Sequence, residues 1–229
     1  QNAEILAMAM KSSYNLNDPS DLSGYCTPEE LAALENNEEE RTLKMNEMWK
    51  NHCISDTFEP GSTAKILTLS MALEEGTVNL NSTFNCTGSI TIADYDLGCS
   101  NRNGHGHQTL KEAVGNSCNP AFVNIGLSVG LERFYDYMEA FGLMSPTGGD
   151  LQGDVGGIFA ARERFTTLDL ACYAFGQNYN ITPLQIITAQ AACINGGYLR
   201  QPYVVEKELD GDGNVVKQHD STPIRQVIR

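Results

Sequence analysis

The chain has 229 residues, with 29 acidic against 15 basic side chains and a formal net charge of -14. A surface this acidic repels phosphate, which argues against nucleic-acid binding or adhesion to anionic lipid as its main function. Hydrophobic residues at 41% and charged residues at 19% describe a globular chain with enough length for one domain and a full core. No apolar run approaches the roughly 20 residues of a membrane span.

The acidity is concentrated at the start, with 12 acidic and 4 basic residues in the first 60 positions. After Gln1, the run Ile5-Leu6-Ala7-Met8-Ala9-Met10 reads as a strand with no partner before it. Thr27-Pro28-Glu29-Glu30 predicts a helix start: Thr as N-cap, Pro at the first position and Glu closing a capping box. That helix breaks near Asn36-Asn37 and resumes to Trp49, with Glu38-Glu39-Glu40 as a solvated face. Phe58-Glu59-Pro60-Gly61 is a turn, and Ser62 to Glu75 a helix that stops at Gly76. Apolar residues lie on nearly every face of this helix, which predicts a buried one. Polar groups at its start therefore need a reason.

Thr77 to Gly106 reads as turns and short strands. Helices follow from Leu110, from Pro120 to Val129 and from Leu131 to Phe141, the last two stopped by Gly130 and Gly142. Ser145 to Gly157 is a loop, Leu168 to Phe175 a short helix, and Thr182-Pro183 opens another helix that runs to Asn195-Gly196-Gly197. Tyr203 to Leu209 and Val215 to Gln218 flank the turn residues Asp210 to Asn214 as a hairpin. Asp210, Asp212 and Asn214 imitate the start of a calcium loop, but its glycine and closing glutamate are misplaced. Ile224 to Arg229 reads as an element begun and not finished.

Seven cysteines are an odd number at irregular spacing. Cys118, Cys172 and Cys193 lie in apolar surroundings and read as small core residues. Cys86 and Cys99 flank a short β-rich stretch, where a local disulfide is one reading. With His105 and His107 they suggest a metal site, but the spacing fits no common zinc pattern and a packed polar loop is the simpler expectation.

Ser62-Thr63-Ala64-Lys65 carries the sharpest chemistry. A spacing of three puts both side chains on one helix face. Serine is a poor nucleophile until a base takes its proton. A desolvated lysine is such a base, because burial disfavours its charge. The helix start also favours negative charge developing at the serine oxygen. Alone the pattern is weak, since about one chance match is expected in a chain this size. Ser117-Cys118-Asn119 adds a hydroxyl and a carboxamide at a turn between helices, suited to relaying a proton and holding a substrate amide. Ser13-Tyr14-Asn15 shares that spelling, and Asn119 has a plainer reading as a cap ahead of Pro120.

Taken in order with their flanks, these triplets resemble the transpeptidase domain of class B penicillin-binding proteins. Glu59-Pro60-Gly61-Ser62-Thr63-Ala64-Lys65 looks like that family's nucleophile motif. Gly104-His105-Gly106-His107 and then Asn116-Ser117-Cys118-Asn119-Pro120-Ala121-Phe122 look like its second motif. Gly176-Gln177, Thr182-Pro183-Leu184-Gln185 and Asn195-Gly196-Gly197 are similar to the stretch that follows, and Glu4 to Met8 to the strand that precedes. The resemblance implies an α+β fold of the penicillin-binding-protein and serine β-lactamase type, a helical part plus an antiparallel sheet. The family's third motif, Lys-Thr/Ser-Gly, is absent from residues 1–229. The expectation is one incomplete transpeptidase domain, with that motif and several sheet strands beyond residue 229.

By resemblance Ser62 is the nucleophile, Lys65 the base, Ser117 a proton shuttle and Asn119 a ligand for the substrate amide. The implied reaction crosslinks peptidoglycan stem peptides at their D-Ala-D-Ala ends through an acyl-enzyme, and β-lactam antibiotics acylate the same serine. Neither metal nor organic cofactor is expected. The implied setting is the extracytoplasmic face of a bacterial membrane, anchored by a segment outside this chain, beside membrane proteins of cell-wall synthesis. Two other readings compete. A serine β-lactamase of the common form needs Glu-x-x-Leu-Asn for deacylation, and no such pattern occurs here. A non-catalytic penicillin-binding scaffold or β-lactam sensor is opposed by the intact Ser62, Lys65, Ser117 and Asn119.

Overall fold

A computed structural model of the chain describes residues 2–11 and 13–229. Three helices come first: α1 (Pro28–Leu34), α2 (Glu38–Trp49) and α3 (His52–Ser55). The capping box at α1 is present, with Thr27 accepting from Glu30 N–H and Glu30 accepting from Thr27 N–H. Asn37 caps α2, and Glu38, Glu39 and Glu40 are exposed in its first turn. Leu22, Cys26, Leu34 and Met48 bury one another as a small cluster apart from the main core.

A 3-10 turn, Gly61–Ala64, leads into α4 (Lys65–Glu74). Four short strands follow as two antiparallel hairpin-like ribbons. β1 (Thr83–Cys86) pairs with β4 (Gly106–Thr109), and β2 (Ser89–Ile92) with β3 (Tyr95–Gly98). The helices α5 (Leu110–Gly115), α6 (Asn119–Val129), α7 (Leu131–Ala140), α8 (Thr167–Tyr173) and α9 (Pro183–Ile194) come next. Capping boxes at Thr109, Thr166 and Thr182 start α5, α8 and α9. β5 (Tyr198–Leu199) pairs with β8 (Arg225–Gln226), and β6 (Lys207–Leu209) with β7 (Val215–Gln218). The Asp210 carboxylate accepts from the Asp212 and Asn214 backbone and closes that last turn as a hairpin.

The core lies where α4 packs on α6 and α6 on α8. Leu67 and Met71 meet Phe122, Val123, Phe134, Met138, Leu170 and Tyr173 there, all buried. Gly126 permits the close approach of α6 to α8, since a Cβ on it would stand 2.5 Å from the Ala174 Cβ.

Two expectations change. The run Ile5 to Met10 is no strand: only Glu4 bridges, in parallel, to Tyr203, and no further backbone among the described residues pairs with it. α4 is not buried all round, because Ile66 and Leu73 are exposed, as are Ile187 and Ile194 of α9. The last residues enter a pairing, β8 on β5.

Candidate active site

The turn that presents Ser62 is pinned from a distant part of the chain. Phe58 and Ile181 exchange both backbone hydrogen bonds at 3.0 Å. Gly61 N–H donates to the Gly176 carbonyl at 2.8 Å, and Glu59 Oε1 accepts from Asn178 N–H at 2.8 Å. Position 176 requires glycine twice over, by its φ of +88° and because a Cβ would fall 1.9 Å from the Gly61 oxygen. On the other side, Gln190 of α9 donates to the Thr63 carbonyl at 2.8 Å. Ser62 is held on the surface by this frame while Lys65, one turn on, is only 4% exposed.

Lys65 Nζ faces four oxygens: Ser62 Oγ at 3.2 Å, Ser117 O at 2.7 Å, Ser117 Oγ at 2.9 Å and Asn119 Oδ1 at 2.7 Å. An ammonium has three protons, so one of the four goes without. The longest contact is the one to Ser62. Beneath lies the Phe122 ring, its centroid 5.3 Å from Nζ. Among the described residues no carboxylate forms an ion pair with Lys65. Burial, opposed by the thiols of Cys99 and Cys118, pulls its pKa down from 10.5 to about 8.

Ser117 closes the C-terminus of α5. Its N–H donates to Val114 O and the next N–H, of Cys118, to Ala113 O, both at 3.0 Å. These are the two bonds of a Schellman motif, whose left-handed position usually holds glycine. Here it holds serine at φ +50°, a strained choice that aims a hydroxyl at the site. That hydroxyl donates to Ser62 Oγ at 3.0 Å. Asn119 is the first residue of α6, and its side chain does not cap. Instead Oδ1 accepts from Lys65 and Nδ2 donates to Gly98 O at 2.9 Å. All four residues singled out in the sequence thus meet at one point.

Behind Asn119 lies a cluster that the sequence reading divided wrongly. Cys86, Cys99, His105 and Cys118 bring their sulfur and nitrogen atoms within 4.8 Å of one another. Cys118 is fully buried, as expected of a core residue, and also joins this cluster, while His107 stands outside, paired across the β1–β4 ribbon with Asn85. All seven cysteines are free, so the reading of a Cys86–Cys99 disulfide is not borne out. Burial pushes the Cys118 thiol up to about 12. Burial acts the same way on Cys99, but donors around it, first the N–H groups of Asn101 and Asn119, hold it below the usual thiol value. One signal was open to inspection: Cys118 lies inside the second polar triplet, 13 residues past His105, the neighbour of Cys99 in the cluster.

A cleft of about 650 Å³ lies away from this site, between residues 2–9 and α9.

The family model described as the penicillin binding protein transpeptidase domain matches residues 1–229. Stage V sporulation protein D of Bacillus subtilis is 41% identical over 181 residues, 78% of this chain and 28% of that protein. Peptidoglycan D,D-transpeptidase FtsI of Escherichia coli is 30% identical over 197 residues, 86% of this chain and 29% of that protein. The chain thus spans less than a third of these relatives. Penicillin binding protein 3 from Mycobacterium tuberculosis, solved with aztreonam, superposes with a TM-score of 0.72 at 27% identity, over 78% of this chain and 40% of that one. The D,D-transpeptidase domain of a peptidoglycan glycosyltransferase from Eggerthella lenta shares the fold with a TM-score of 0.79 at 23% identity, over 97% of this chain and 54% of that one.

Proposed function

Because the chain belongs to the penicillin-binding-protein transpeptidase family, we propose that it carries the nucleophile half of a serine D,D-transpeptidase that crosslinks peptidoglycan stem peptides. One observation carries this reading: Ser62 Oγ lies 3.2 Å from a buried lysine amine and 3.0 Å from the Ser117 hydroxyl. A hydroxyl between a base of lowered pKa and a second hydroxyl is an activated nucleophile with a proton path.

Neutral Lys65 takes the Ser62 proton as Oγ bonds to the penultimate D-Ala carbonyl carbon. The carbonyl oxygen becomes an oxyanion, which the Ser62 N–H helps to hold. The intermediate collapses, the bond to the terminal D-Ala breaks, and Ser117 passes the proton to the leaving amine. The amine of a second stem then attacks the ester, returns a proton to Ser62 and leaves as the crosslinked product. Asn119 holds the stem's amide. A β-lactam opens on Ser62 in the same way, but its amine stays tethered and the ester persists. The acyl transfer itself draws on side chains and the Ser62 backbone N–H. The domain works on the extracytoplasmic face of the membrane, anchored through a segment outside residues 1–229 and beside other proteins of wall synthesis. Segments outside these residues supply the substrate-carboxylate site and cover the exposed Ile66, Leu73, Ile187 and Ile194.

The test is a fluorescent penicillin on the full-length protein. Labelling should be covalent, persistent and lost in Ser62→Ala. Labelling of the alanine variant at native rate would remove Ser62 as nucleophile, and fast release of the label would point to hydrolysis instead. Release of D-Ala from a stem peptide separates the enzyme from a sensor.

A further inference from the structure

The four-residue cluster behind Asn119 has the composition and shape of a closed metal site. Three thiols and one imidazole converge, contributed by the end of β1 (Cys86), the residue after β3 (Cys99), the loop before β4 (His105) and the N-cap of α6 (Cys118). All three cysteines are buried. Cys99 Sγ stands 3.5 Å from His105 Nδ1, and every pair of the four donor atoms lies within 4.8 Å. Around a zinc ion with bonds of about 2.3 Å to sulfur, tetrahedral donors sit about 3.8 Å apart. One ion therefore fits among these atoms after small side-chain shifts.

We propose that Cys86, Cys99, His105 and Cys118 bind a structural zinc ion that fixes the Ser117-Asn119 turn against the β-ribbons. A disulfide would use two of the four groups and leave a third buried thiol beside an unused imidazole. An ion uses all four. Thiolate-rich tetrahedral sites select zinc over magnesium or calcium, and four protein donors leave no open position for catalysis. The surroundings suit thiolate ligands. N–H groups of Asn101 and Asn119 point at Cys99, the outer-shell bonds that steady metal-bound sulfur. The loop is shaped for it too. Gly88 and Gly104 have φ of +103° and +81°, and a Cβ on Gly104 would lie 2.3 Å from the Cys86 oxygen. Only glycine lets the 99–105 loop close over the end of β1.

The ion would also steady the reacting groups. Cys118 lies between Ser117 and Asn119 in sequence, and Asn119 Nδ2 donates to the carbonyl of Gly98, next to Cys99. Two of the ligands thus bracket the residues that hold Lys65. This positioning role rests on the proposed acyl transfer, but the metal site itself does not.

Full-length protein purified under reducing conditions should hold one equivalent of zinc that survives dialysis. Exchange for cobalt(II) should give the visible spectrum of a tetrahedral ion with a thiolate-to-cobalt charge-transfer band. His105→Cys should bind and raise that band by about a third, as a fourth thiolate joins three. Cys118→Ser should weaken it. Stripping the zinc should slow penicillin acylation by about tenfold or more, the usual scale for lost support around a site, and added zinc should restore it. Reduced protein that takes up neither zinc nor cobalt would overturn the proposal. So would a cobalt spectrum unmoved by His105→Cys, or recovery of two of these cysteines as a disulfide in the active protein. Metal content and spectrum are read without any acylation, so failure of the metal site and failure of the transpeptidase reading are distinguishable.

Discussion

Acylation should depend on pH through Lys65. Its pKa falls from 10.5 to about 8 because the side chain is 4% exposed and has no carboxylate partner. At pH 7 about 9% of the amine is then neutral, against about 0.03% for an ordinary lysine, a gain of about 300-fold in available base. The second-order rate of labelling by a fluorescent penicillin should rise about tenfold from pH 6 to 7 and about fivefold from 7 to 8, then level off above about 9. Stability should follow the same group. Between about pH 8 and 10.5 the unfolded chain carries a proton on this lysine that the folded chain lacks, so stability rises with pH across that window. Below about pH 8 the folded state bears the full cost of the buried charge, about 3 kcal/mol at 1.36 kcal/mol per pKa unit. Arginine cannot give up its proton, so Lys65→Arg should lose about 10²–10⁴ in acylation and flatten the profile. A wild-type rate unchanged between pH 6 and 8.5, or an arginine variant near native rate, would show that Lys65 acts as a fixed charge and not as a base.

Two further variants test the backbone that supports the site. Ser117→Gly and Ser117→Ala both remove the hydroxyl and should acylate equally poorly. Only glycine relieves the left-handed φ of +50°, so the glycine variant should be about 1 kcal/mol more stable by denaturant titration, and equal stability would refute the strain. Gly176→Ala places a Cβ against the Gly61 carbonyl. It should destabilise the protein by about 2 kcal/mol or more and slow labelling, whereas a native melting point would show that the turn relaxes freely.

Local chemistry was legible in the sequence wherever it was local in fact. Thr27 and Thr182 were readable as caps, because a capping box spans four residues and both partners are visible. Ser62 and Lys65 were readable for the same reason, one helical turn apart. Their meeting with Ser117 and Asn119 was legible only through order and flanks, since the contacts span more than 50 residues. The thiol cluster was not legible as a whole. Cys86 reaches His105 because it lies opposite Gly106 in the β1–β4 register, and a two-residue slip of that ribbon would carry its sulfur away. Nor did the apolar run from Ile5 reveal that, among the described residues, no second backbone follows it past Tyr203.

The bonds that frame Ser62 have a consequence for the order in which the molecule is made. Glu59 to Asn178 spans 119 residues, Thr63 to Gln190 spans 127, and Thr68 to Ala174 spans 106. Closing loops of that length is slow compared with forming a helix. At about 5–20 residues per second of synthesis, the serine leads its own scaffold by some 6–25 seconds. For that interval the growing chain carries Ser62 and Lys65 together on a nascent helix without the frame that makes them reactive. The frame around Ser62 is complete only when α9 has been made and docks.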